Sequence, residues 1–227
     1  MTPALGRGGL VVDLHTVHRC LSSAVLGGGL GLVRTWLDLQ VPPDYARTDP
    51  EAHLAEAAAG LPGPVVGMLT AAPVARFRQG SAGRARAVAT VGVGHPLAAA
   101  GTRPRAAPAG AGSRAAPGAG TINLLVVVDD PLTDAGLAGA LQTAVEAKAQ
   151  ALAAARIPAV NAAGFATGTA TDSVCVACPP GARSPFAGPA TRTGGDLARA
   201  VYEAVIAGAA AAGRAAAGTQ RPAHPVP

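Results

Sequence analysis

Apolar positions along the chain fall into short blocks separated by turns rich in Gly, Pro and Asp. Residues 10–14 form a compact apolar run with strand character. The polar stretch 15–29 that follows holds Ser22, Ser23 and three consecutive glycines, Gly27, Gly28 and Gly29. Partial alternation over 30–41 predicts a second strand. Asp49-Pro50 predicts a helix start, with Asp49 as cap and Pro50 at the first helical position; Gly60 and Pro62 end that helix. Residues 65–69 and 87–93 read as strands, the first running into Thr70 and the second containing Gly92. The run 121–128 is rich in Ile, Leu and Val, unbroken Leu and Val after Asn123, the pattern of a central strand covered on both faces.

Two longer helices follow. Thr133 is placed to cap the first, with Asp134 in its first turn and Leu137, Leu141, Val145 and Leu152 on one stripe; Pro158 ends it. A short strand is expected over 173–177. The segment Thr193-Gly-Gly-Asp196 has the form of a capping box for the last helix, whose apolar stripe is Leu197, Val201 and Val205. The order β-β-α-β-β-β-α-β-α predicts an α/β or α+β fold, a mixed sheet with packed helices in one domain over 1–214. The aperiodic stretch 101–120 reads as a mobile loop within that domain, and 215–227 as a disordered tail.

Composition changes this picture in a few places. The 227 residues suffice for one sizeable core, but aromatic content is only 3%, so Ala, Val and Leu must build it. The net charge of +5 would fit an acidic partner, yet several arginines sit in loop-like or tail-like stretches without interleaved aromatics, so no nucleic-acid partner is expected. Three cysteines argue against a disulfide scaffold and fit a reducing compartment. No leader-like apolar run opens the sequence, and the last helix carries Asp196, Arg199, Glu203 and Arg214, so a cytoplasmic protein without a membrane span is expected.

Few residues carry candidate chemistry. The segment Thr-Gly-Thr-Ala-Thr-Asp at 167–172 sets Thr167, Gly168, Thr169 and Thr171 ahead of Asp172, just before a strand. Gly168 permits a tight turn or close approach. Successive N–H groups there can bind an oxyanion, and Asp172 can take a proton or hold a polar group. The alternative is a Thr-rich turn with a capping Asp. Lys148, the only lysine, projects about 25° from the centre of the apolar stripe. It must snorkel, pair with a carboxylate or face a site. Glu146 points to the opposite side. Cys175-x-x-Cys178 has redox or metal spacing, but on a strand i and i+3 face opposite ways, so a core role is expected. His15-x-x-His18-x-Cys20 lacks a second cluster, and no metal is expected. Ser22 and Ser23 lack a nucleophile elbow, and the three glycines lack the Lys-Ser/Thr of a phosphate loop. His95 before Pro96 reads as a surface turn.

The succession of short motifs is more specific than any one of them. Leu21-Ser-Ser-Ala24 leads to Gly27-Gly-Gly29, then Asp44-Tyr45 and Asp49-Pro50. Val66-Gly-Met-Leu-Thr-Ala-Ala72, Thr90-Val-Gly-Val-Gly94 and Gly120-Thr-Ile-Asn123 follow. Glu146-Ala-Lys148, Ala166-Thr-Gly-Thr169 with Thr171-Asp172, and Ala200-Val-Tyr-Glu203 complete the series. This order resembles the adenosylcobinamide amidohydrolases over roughly residues 10–210, departing at His95 and in the length of the 101–120 loop. The resemblance implies hydrolysis of the amide joining aminopropanol to the corrin ring, giving adenosylcobyric acid and 1-amino-2-propanol in cobalamin salvage. It implies a corrinoid substrate, with cobalt entering only as part of that substrate and no separate cofactor. Asp172 is then the candidate general base, or the residue that orients one, with Lys148 or Glu146 assisting charge or proton transfer. The backbone around 167–171 would hold the carbonyl oxygen. Ser22, Ser23, Gly28, Thr70, Gly92 and Asn123 would complete the substrate site. A non-catalytic corrinoid-binding protein and an amidohydrolase for another substrate stay open, as does assembly into a homo-oligomer.

Overall fold

The computed structural model describes residues 1–102, 120–181 and 183–219, with side chains described as far as residue 213. The unbroken apolar run becomes strand β7 (Ile122–Val128), every residue of which is buried. It lies between two strands of the sheet, and a core on each side covers its two faces. It pairs antiparallel with β6 (Ala85–Val91) and parallel with β8 (Ser173–Cys178). With β1 (Thr2–Gly6), β2 (Gly9–Ser22), β3 (Gly29–Gln40), β4 (Val65–Thr70) and β5 (Arg78–Ala82), these form one eight-stranded mixed sheet, ordered β4-β3-β2-β8-β7-β6-β5, with β1 pairing the first half of β2. The fold is mixed α/β, as the order of elements predicts, and the sheet does not close.

Helices α2 (Asp134–Ala154) and α3 (Arg192–Thr219) pack on β5–β8, while α1 (Pro50–Ala58) packs on β3 and β4. The main core lies between the sheet and α2/α3, where Leu124, Val126, Val174 and Val176 meet Leu197, Val201 and Val205. The opposite face holds a second core of Leu10, Val12, Trp36, Met68, Leu125 and Val127. Cys178 belongs to the first core and Cys175 to the second, the opposed orientation their strand spacing requires.

Several elements differ from the pattern-based expectation for identifiable reasons. Strand β2 does not stop at Leu14. It passes through an irregularity between Asp13 and His18, where His15 takes φ +66° and its N–H donates to Asp13 Oδ1 at 2.7 Å, and then continues to Ser22. The bulge breaks the alternation that would have marked the strand. The capping box expected at Thr193 moves two residues upstream. Thr191 Oγ1 accepts the Gly194 N–H at 3.0 Å, while Thr193 donates to Asp130 and Asp196 is held by Arg84 N–H and Arg199. Asp49 makes no side-chain cap; Arg47 grips it instead. Thr133 does cap α2, accepting from Gly136 N–H at 3.1 Å.

The packed face of α2 is also rotated from the expected stripe. Leu137 and Leu152 are buried, but Val145 is 40% exposed and Ala140, Ala144, Ala147 and Ala151 make the contact. Alanines allow the close approach of α3, whose Ala200 and Ala204 lie in the same core. Helix α3 extends through the first residues of the expected tail; residues 220–227, and most of the expected loop (103–119), lie outside the described residues.

Candidate active site

The rotation of α2 buries Lys148 on the side facing the sheet, with 6% of its surface exposed. An ammonium there requires a counter-charge. The segment before β8 supplies it: Lys148 Nζ donates to Asp172 Oδ2 in an ion pair with 7% and 10% side-chain exposure. Asp172 also accepts from the N–H of Thr169 at 3.0 Å, the hydroxyl of Thr169 at 2.5 Å and the N–H of Ile122 at 3.0 Å. One carboxylate thus ties α2, the start of β7 and its own loop together. Gly168 follows from this geometry. A Cβ at that position would lie 2.4 Å from Asp172 Oδ2 and 2.8 Å from Lys148 Nζ.

The oxyanion nest expected at 167–171 is largely committed elsewhere. The N–H groups of Thr167 and Gly168 both donate to Leu97 O, at 2.9 and 3.2 Å, and that of Thr169 to Asp172. Thr167 Oγ1 accepts Ala99 N–H at 2.9 Å. These bonds dock the segment against 97–102, aided by Asn161, whose side chain joins Ala98 and Thr102. The side chains offer more to a ligand: Thr171 and Thr121 share a hydrogen bond at 2.8 Å.

Two clefts meet at Asp172. The first, about 440 Å³, is lined by apolar Val25, Val41, Met68 and Leu69 and by the hydroxyls of Ser23, Tyr45, Thr70, Thr121, Thr171 and Ser173. The second, about 580 Å³, lies on the α2 side, between Val145, Lys148, Thr102 and Asn161. Both sizes fall within the range of small-molecule sites.

The other expected site residues divide. Ser23 and Thr70 line the first cleft, Ser23 within 3.3 Å of Ser173 Oγ. Ser22 is buried beneath it, its hydroxyl donating to Val174 O. Gly28 stands where a Cβ would meet Ala24 O at 2.2 Å, and Gly92 packs on Ala72 and Thr121; neither lines a cleft described above. Glu146 is exposed and bonds Gln142 at 3.0 Å, on the far side of α2 from Lys148.

Asn123 is fully buried below the first cleft. Its amide donates to Leu69 O at 2.9 Å and to Asp38 Oδ1 at 2.7 Å, fastening β7 to β4 and β3. Thr90 donates to the other Asp38 oxygen at 2.6 Å. Asp38 has no exposed surface, and burial pushes its carboxyl up to about 6 against the opposing effect of these two hydrogen bonds. Sequence reading missed this residue because its partners lie 52 and 85 positions away. It also missed the pairing of Tyr45 with His53, although both residues stand in or beside the Asp44-Tyr45 and Asp49-Pro50 motifs.

Among the described residues no group of three or more His, Cys, Asp or Glu side chains converges as a metal site, and no helix is long and apolar enough to cross a membrane. The family model described as adenosylcobinamide amidohydrolase matches residues 5–217. A Halobacterium salinarum protein named adenosylcobinamide amidohydrolase is 34% identical over 201 residues, covering 83% of this chain and 79% of that protein.

Proposed function

Since the chain belongs to the adenosylcobinamide amidohydrolase family, we propose that it hydrolyses the aminopropanol amide of adenosylcobinamide, releasing 1-amino-2-propanol and adenosylcobyric acid for cobalamin salvage in the cytoplasm. The observation that carries this reading is the first cleft. It joins apolar walls to a ring of hydroxyls and reaches Asp172, whose buried partner Lys148 stands behind it in the second cleft. Amide hydrolysis needs an attacking water, donors for the carbonyl oxygen as it gains charge, and a proton for a poor amine leaving group. The hydroxyls of Thr121, Thr171, Ser23 and Ser173 supply donors at the inner end of the cleft.

Asp172 acts as the orienting residue in this reading. Four donors already occupy its two oxygens, so it holds the site's walls in place and leaves the taking of water's proton to another group. Lys148 keeps it charged; Glu146 stands apart and takes no part. The corrin ring covers the cleft mouth over Val25, Val41 and Pro42, and its amide arm enters. In this reading cobalt arrives with the substrate. Incubation with adenosylcobinamide, and separately with a simple amide, followed by mass spectrometry, tests the assignment. Free aminopropanol from the corrinoid alone supports it. Tight corrinoid binding without product supports a non-catalytic binding role, and cleavage of the simple amide alone supports a different amidohydrolase.

A further inference from the structure

The amide hydrolysis proposed above leaves a gap: Asp172 is saturated, so the group that moves the proton lies elsewhere in the first cleft. Tyr45 is the aromatic residue among those lining it. The turn that follows β3 places it there, its N–H donating to Pro42 O at 3.0 Å. The Tyr45 hydroxyl is hydrogen-bonded to His53 Nδ1 at 2.9 Å, and the two rings stack at 5.5 Å with 18° between their planes. His53 stands on the first turns of α1, its N–H donating to Asp49 O at 3.1 Å. The charged groups around the imidazole are Asp49 and Glu56, both close enough to interact with it electrostatically, and Arg47, which bridges those two carboxylates. A hydroxyl bonded to an imidazole that acidic groups support is the arrangement of an activated proton carrier.

We propose that Tyr45 is a catalytic residue of this hydrolysis, carrying one proton from the attacking water to the leaving nitrogen with His53 as its store. The neutral His53 tautomer with its proton on Nε2 leaves Nδ1 to accept. As water adds to the amide carbon and the new C–O bond forms, the Tyr45 oxygen takes a water proton and passes its own to Nδ1. When the tetrahedral intermediate collapses, the C–N bond breaks and the proton returns through Tyr45 to the amine nitrogen. One water is consumed, a carboxylic acid and an amine result, and the acid loses its proton to solvent. Asp49 and Glu56 stabilise the transient imidazolium, and Arg47 fixes both carboxylates.

This rests on the amide-hydrolase reading, and the experiment separates the two. Steady-state turnover of adenosylcobinamide is measured for the wild-type chain, Tyr45→Phe, His53→Gln and the control Tyr202→Phe, which lies on α3 away from the cleft. Tyr45→Phe keeps the ring and its stacking and removes only the hydroxyl. It should lower kcat about 10²- to 10³-fold with KM within a few fold of wild type. His53→Gln should lose a similar amount of kcat with KM within a few fold of wild type, and the double variant should be no worse than either single one. Tyr202→Phe should match wild type. A Tyr45→Phe variant with more than half the wild-type kcat overturns the proposal, as does a double variant whose losses multiply those of the two single ones. A wild-type chain that binds the corrinoid without turnover instead overturns the reading beneath it.

Discussion

Asp172 and Asp38 are both nearly or wholly removed from water, yet they are held in different ways. Asp172 has a lysine, two backbone N–H groups and a hydroxyl around it. Asp38, entirely buried, has only the neutral donors Thr90 and Asn123 among the described residues. The first charge is compensated where two clefts meet; the second is a buried cost behind them. A compensated ion makes stability depend on its partner, whereas an uncompensated one makes stability depend on pH. The comparison separates what braces the site's edge from what joins β3, β4 and β7 beneath it.

Removing one member of the compensated pair should have the largest effect. Lys148→Met leaves the Asp172 charge unpaired and should cost about 3–5 kcal/mol in urea unfolding, with loss of turnover. The double change Lys148→Met with Asp172→Asn removes both charges, keeps an acceptor for the loop donors, and should recover part of that stability while turnover stays lost. Equal stability of the single and double variants would erase the distinction between the two aspartates.

For Asp38 the sign reverses. Its folded carboxyl titrates at about 6 against an ordinary 3.8, so below pH 3.8 both states are protonated and nothing is lost. As pH rises toward 6 the unfolded chain ionises first, and stability falls by about 3 kcal/mol in all. Asp38→Asn should therefore gain about 2–3 kcal/mol relative to wild type between pH 4 and pH 7. A constant difference across that range would mean that Asp38 is not an uncompensated charge.

Gly168→Ala sharpens the comparison on the paired side. Its Cβ would press on both members of the ion pair, at 2.4 and 2.8 Å, and should cost about 1–3 kcal/mol with a drop in turnover. Thr133→Ala, far from either carboxylate, should cost about 1 kcal/mol from the lost α2 cap and leave kcat unchanged.

How far the sequence disclosed these features depends on whether they are local. The run 122–128, the stripe of Leu197, Val201 and Val205, and the Thr133 cap are set by neighbours within a turn or two, and all were legible. Strand β5 was not, because Arg-Gln-Gly-Ser-Ala carries no apolar alternation; its pairing with β6 defines it. The place of Lys148 near the apolar side of its helix could be read from its angle, but whether it snorkels or pairs, and with what, could not. Asp38 and the Tyr45–His53 pair depend on segments brought together only by the folded sheet, and no spacing rule reports such proximity. The residue types of the segment 167–172 marked it as a candidate, while the hydrogen bonds show the N–H groups of Thr167, Gly168 and Thr169 committed within the protein.

The most direct test of the central claim is one reaction in heavy-oxygen water, with adenosylcobinamide as substrate and mass spectrometry of both products. The account predicts free 1-amino-2-propanol and adenosylcobyric acid carrying one heavy oxygen in the new carboxylate. Corrinoid that is bound but recovered intact, with no amine released, would contradict it.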